Sequence, residues 1–386
     1  MRSLPAFFSA AALAVALQVQ SISSNFSNIW LYFLLIASVL MIYKSGGPKY
    51  HGHGEQAIPY TLGAWLLLIG ASCSILAPMP GSKNIAWALA AFPILALSIH
   101  RQDMKNHLKN FYIVILIYAL GLILQMYLQV KYTNFDYVGR YAWPLLNPNN
   151  AAAVINFALL PSLYLGLRKP KWLISVGILL IALYATHSRA GVMSFGVGSL
   201  ILLWERFGCR VGIASLVIAL VMCVSVGFAK PEAFNTDSMK NRFDIWSTTT
   251  NMVLDLDDVQ IGPGAELYGS SIFGYGLGSF PLLYQQFRTE KISSGYFAHN
   301  DLLQFWVEMD NYAVLIFLFL VIVTALSTHR GNIISGVVML ALLLQAMLEF
   351  QFYVPAISIL MGLAMAYHLL NLQRDYATVE ITRNTA

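Results

Sequence analysis

Apolar runs long enough to enter a bilayer core of roughly 30 Å as helices recur along this chain and leave it few ways to fold. They fall at 4–20, 29–43, 58–77, 84–99, 111–129, 150–167, 172–186, 188–204, 211–229, 311–327, 333–348 and 353–370. Hydrocarbon offers no partner to backbone N–H and C=O groups, so a run without strand-like alternation must become a helix. Composition agrees, since 58% of residues are hydrophobic and only 11% charged, outside the range of soluble domains. The expected fold class is therefore an all-α polytopic membrane protein with about twelve transmembrane helices, built as a single membrane-embedded domain over 1–386. Arg2 and small residues give the first run the look of a signal peptide, yet no clear A-x-A site follows, and a retained helix is expected.

Basic residues set the orientation. One set of short loops holds Lys44, Lys49, Arg101, Lys105, Lys109, Arg168, Lys169, Lys171, Arg206, Arg210, Arg330 and Arg374, whereas the alternate set holds only Lys83, Lys131 and Arg140. The positive-inside bias then places both termini in the cytoplasm. It also accounts for the net charge of +5 without a nucleic-acid partner. Cys73, Cys209 and Cys223 show no CxxC or Cys/His spacing, so neither a disulfide framework nor a zinc site is expected.

One connection is long. Residues 230–310, between the ninth and tenth runs, form an outward loop, and loops of this length are usually functional or separately folded. It opens with DSMKNRFDIWSTTTNMVLD, where Met239, Phe243, Trp246 and Met252 recur at near-helical spacing and suggest a surface helix. A glycine-rich path follows, and the loop returns through YFAHNDLLQFWVE into the tenth run.

Polar groups near the membrane are costly and single out candidates. Thr186, His187, Ser188 and Arg189 are the only polar break between two apolar runs, and Arg189 reads either as a snorkelling turn residue or as a functional cation. Arg140 stands before NPNN, where Asn149 or Asn150 could cap the next helix. Arg242 lies on the amphipathic segment and Arg288 in YQQFRTEKISS, each with an ordinary surface reading. His299 could be a bystander beside a helix cap made by Asn300 or Asp301. An imidazole is also the side chain best suited to take a proton near neutrality, and several arginines beside it would form an anion site.

Taken in order, GRYAWPLLNPNNAA, THSRAG, RFDIW, FGYGLGSF and AHNDLLQFWVE resemble the bacterial O-antigen ligase and O-antigen polymerase superfamily, membrane glycosyltransferases with a C-type (GT-C-like) fold. The motifs cover roughly residues 139–310. The resemblance implies a multi-pass inner-membrane enzyme of lipopolysaccharide biosynthesis with a periplasmic active site. Its donor would be an undecaprenyl-diphosphate-linked glycan. Its acceptor would be a sugar hydroxyl of lipid A core in a ligase, or a second lipid-linked glycan in an O-antigen or exopolysaccharide polymerase. The chain's compact length leans toward the ligase. Transfer would invert the sugar and use no cofactor and no metal, with His299 as the catalytic base and Arg189 and Arg242, joined by Arg140 and Arg288, on the diphosphate. Asn300 and Asp301 would support the histidine. Two departures stand out: many relatives have a glycine following the acidic residue of the tenth helix where this chain reads Glu308-Met309-Asp310-Asn311, and Asp255/Asp257 in DLDD would offer an Asp-x-Asp for a divalent metal instead. A lipid-linked oligosaccharide flippase is the reading from another class; it predicts paired halves, and no repeat is visible.

Overall fold

The computed structural model describes residues 4–18, 101–129, 140–145, 147–208, 210–211, 214, 237–254, 259–260, 266–267, 275–276, 278–288, 297–328 and 333–384. These residues are mostly helical. In chain order they form α1 (Leu4–Gln18), α2 (Arg101–Leu128), α3 (Pro148–Gly166), a 3-10 turn at Pro170–Trp172, α4 (Leu173–Thr186), α5 (Arg189–Phe207), α6 (Asp237–Leu254), α7 (Phe280–Phe287), α8 (Asp301–Ser327), α9 (Ile333–Ala346) and α10 (Pro355–Asn384). A two-stranded antiparallel ladder pairs β1 (Val259–Gln260) with β2 (Glu266–Leu267).

The centre is α3. Its AAAVINFALL stretch is buried on every side, because alanines let α2, α4, α5, α9 and α10 approach closely. A Cβ on Gly191 of α5 would lie 2.3 Å from the Ala152 Cβ of α3, and one on Gly198 would meet Leu160 at 2.7 Å. These glycines are packing contacts between helices. α1 packs on α2 and α10 with Ala12, Leu13 and Ala16 fully buried.

Met104–Leu128 and Arg189–Phe207 are long and apolar enough to cross a membrane, and only 33% and 28% of their apolar windows are buried. Ile117, Leu124 and Tyr127 on α2 and Val192, Met193 and Phe207 on α5 are among the exposed large apolar residues. Other apolar helices are shorter: Pro170–Thr186, Ile333–Ala346 and Pro355–His368 each fall below the span length of about 20 residues. The runs at 29–43, 58–77 and 84–99, most of 211–229, all three cysteines and residues 255–258 lie outside the described residues.

Boundaries shift where polarity hides helix. α2 starts at Arg101, ten residues before its apolar run, and α8 starts at Asp301 inside the expected loop. Asp310 interrupts α8 with φ 62° and ψ −168°. The interruption leaves carbonyls without helical partners, and the N–H groups of Tyr275 and Gly276 donate to Val307 O at 3.4 Å and Glu308 O at 2.9 Å.

α6 forms as its spacing predicts but is not simply laid on a surface. Ile245 and Met252 are buried with Tyr275, Phe280, Leu283, Tyr284, Ala298 and Val307 in a second small core, while Phe243 stays exposed.

Candidate active site

The site gathers around a residue that the sequence motifs leave out, Glu349, in the turn between α9 and α10. Its carboxylate is fully buried and takes three donors. Arg242 Nη2 and Asn149 Nδ2 both donate to Oε1, and His299 Nδ1 lies 3.1 Å from Oε2. Arg242 also donates from Nη1 to Leu348 O at 2.7 Å, so its planar fork holds both the backbone and the side chain of the turn.

Local sequence explains how these groups arrive. Asn147 caps α3 through its side chain, accepting from Asn149 N at 2.8 Å, and Pro148 fills the first helical position where no N–H is needed. The cap expected at Asn149 or Asn150 is therefore at Asn147, which frees Asn149 for the site. Asn149 Oδ1 accepts from Arg140 Nη2 at 3.1 Å and from Ser188 Oγ at 2.7 Å. Arg140 Nε donates to Thr186 O at 3.2 Å. Between α4 and α5 the chain turns in two residues: His187 adopts the left-handed conformation (φ 47°), and Ser188 caps α5 by accepting from Gly191 N at 3.0 Å. Gln345 Nε2 donates to Asn149 O at 2.6 Å, and Ser194 and Asn156 continue this buried polar seam.

His299 is held from both directions. Asn300 caps α8, accepting from Leu303 N at 3.2 Å, while the Asp301 carboxylate accepts from Gln351 N at 2.7 Å and Phe352 N at 3.0 Å. Residues 299 and 349 thus share a register with 301 and 351. Stacking of Phe297 on Phe350, with ring centroids 4.1 Å apart, adds a third tie between the two segments.

Electrostatics follow from that geometry. Burial alone would push the Glu349 carboxyl up, but the hydrogen bond from His299 and the charge of Arg242 outweigh it and hold the carboxyl below its ordinary value of 4.5. A carboxylate only accepts hydrogen bonds, so the His299 proton sits on Nδ1 and a neutral ring keeps its lone pair on Nε2. The ring is 31% exposed and can be reached from outside, whereas Glu349 cannot.

His299, Arg242 and Arg140 are thus brought into one network. Arg189 stands exposed as the first residue of α5, directly after Ser188, and Arg288 is the capping residue just past the end of α7, also exposed. Neither is joined to Glu349 by a hydrogen bond or ion pair of the network just described. No group of His, Cys, Asp and Glu suited to a metal occurs among the described residues. Glu349 had a signal: it is the only Asp, Glu, Lys or Arg between Arg330 and Arg374. No protein-family model matches the chain, and neither does any curated protein sequence.

Proposed function

We propose that the protein is a multi-pass inner-membrane glycosyltransferase of O-antigen ligase type, acting on the periplasmic side. It would move a glycan from undecaprenyl diphosphate to a sugar hydroxyl of lipid A core. The observation that supports this reading most directly is the Glu349–His299 pair with Arg242 and Arg140 in the same hydrogen-bonded network.

In this reading Glu349 orients the imidazole and His299 Nε2 takes the proton of the acceptor hydroxyl as its oxygen attacks the anomeric carbon. The bond from that carbon to the diphosphate oxygen breaks on the opposite face, its electron pair leaves with the diphosphate, and the sugar inverts. Guanidiniums stabilise the charge gathering on the leaving group, which they can do without losing their own. Arg242 and Arg140 would reach it from the network, Arg189 and Arg288 from exposed positions. A polymerase would ask the same of this site, with a second lipid-linked glycan as acceptor.

The test uses the full chain in lipid nanodiscs with a short undecaprenyl diphosphate glycan, a chelator, and either lipid A core or a second donor molecule as acceptor. Product on lipid A core that His299→Ala abolishes is the expected result, and elongated lipid-linked glycan would reassign the chain to the polymerase. Activity only when divalent metal is restored would move the charge-neutralising role to Asp255 and Asp257. Failure with both acceptors, alongside movement of intact donor between leaflets, would replace the transferase by a flippase.

A further inference from the structure

Ala298, the residue before His299, has both backbone groups taken by side chains. Its N–H donates to Gln304 Oε1 at 3.0 Å, and its carbonyl accepts from Trp246 Nε1 at 3.0 Å. The residue is fully buried, so water cannot replace either partner. His299 itself has φ 50°, a left-handed conformation that a residue with a Cβ keeps only when its surroundings impose it. Asn300 and Asp301 hold the chain after His299; Trp246 and Gln304 hold the residue before it.

Each clamp is itself fixed. Gln304 Nε2 donates to Glu308 Oε1 at 3.3 Å, which orients the amide so that its oxygen meets Ala298, and Glu308 accepts from Tyr353 OH at 2.7 Å. Trp246 lies four residues after Arg242 on α6, and residues at that spacing share a helix face. One face of one helix thus reaches both members of the pair, Glu349 through Arg242 and the approach to His299 through Trp246. A rigid helix transmits the separation of those two contacts to the imidazole and the carboxylate.

We infer that Trp246 is a positioning residue for His299: its indole N–H on the Ala298 carbonyl, acting with Gln304 on the Ala298 N–H, keeps the imidazole in the left-handed turn that sets Nδ1 against Glu349. This rests on reading His299 as the base, and Trp246 touches no reacting atom. Ring packing and the N–H donor can be separated, because Trp246→Phe keeps an aromatic side chain and removes the donor.

The experiment compares the full chain with Trp246→Phe and Gln304→Leu in nanodiscs, by two readouts. With 15N-histidine labelling and His299 assigned by difference from His299→Ala, the parent is expected to show one Nδ1–H tautomer and each variant a mixture. Transfer kinetics are expected to show kcat about tenfold lower in Trp246→Phe with the donor KM within about threefold, the signature of a transition-state rather than a binding defect. An unchanged tautomer in both variants overturns the inference, as does an unchanged kcat. If one variant fails to fold, the other decides, since both hold the backbone of the same residue, Ala298, from different helices. Should the parent transfer no glycan, the enzymatic reading has failed, while the tautomer still decides whether the indole holds the ring.

Discussion

Replacing Glu349 by glutamine tests the centre of the network with almost no change of shape. The amide keeps the volume of the carboxylate but removes its charge, leaving Arg242 and His299 without their shared anion. Breaking a fully buried ion pair by removing one partner costs about 3–5 kcal/mol. The Arg242 side chain retains 18% exposure, so water recovers part of that, and a loss of about 2 kcal/mol is expected. Its pH dependence has a definite sign. The folded carboxyl is held below 4.5, so its contribution is complete above that pH and disappears as pH falls through the folded value. Thermal unfolding in nanodiscs should therefore show Glu349→Gln less stable than the parent at neutral pH, with the two converging well below pH 4.5. Transfer should fall about 100-fold, within the range that a positioned general base supplies. A stability gap that stays constant across this pH range would refute the electrostatic account, and an unchanged kcat would refute the orienting role.

Three further outcomes follow from single contacts. At position 310 the backbone lies in a region open mainly to glycine, so Asp310→Gly should exceed Asp310→Ala in thermal stability by at least about 1 kcal/mol, measured side by side. Gly191→Ala should lower stability by about 1–3 kcal/mol, because its Cβ would sit against Ala152, whereas Gly196→Ala, facing open space, should leave the melting temperature nearly unchanged. Exposed Arg189 should behave in the opposite way to Glu349: Arg189→Ala should change stability by less than about 1 kcal/mol and yet weaken binding of a labelled undecaprenyl diphosphate donor several-fold in a competition assay.

Much of the helical plan was legible, since apolar runs must become helices when they are this long. The ends were not, because polar turns such as Arg101–Lys109 and Asp301–Met309 are helical, the second behind an Asn300 cap, in a way that hydropathy does not register. Of the site, His299, Arg242 and Arg140 were readable as costly polar groups near a membrane. Glu349 obeys the same rule and was equally visible as a lone charge, but it belongs to no motif. Asn149 was misread because an asparagine beside Pro148 looks like a cap, and only the backbone could show that Asn147 already fills that place. The left-handed backbones of His187, His299 and Asp310 were beyond a propensity argument, since none is a glycine; His187 is set as the C-cap of α4, and partners from other segments hold the chain beside His299 and Asp310.

The break at Asp310 ties two stretches that lie some thirty positions apart. Because the carbonyls released there are taken up by Tyr275 and Gly276, and Phe280 N donates to Glu308 Oε1, the glycine-rich turn and the bent helix cannot open independently. They form a single cooperative unit. Amide hydrogens at 275, 276 and 280 should then exchange with deuterium at one common rate, set by the straightening of a helix to which they do not belong.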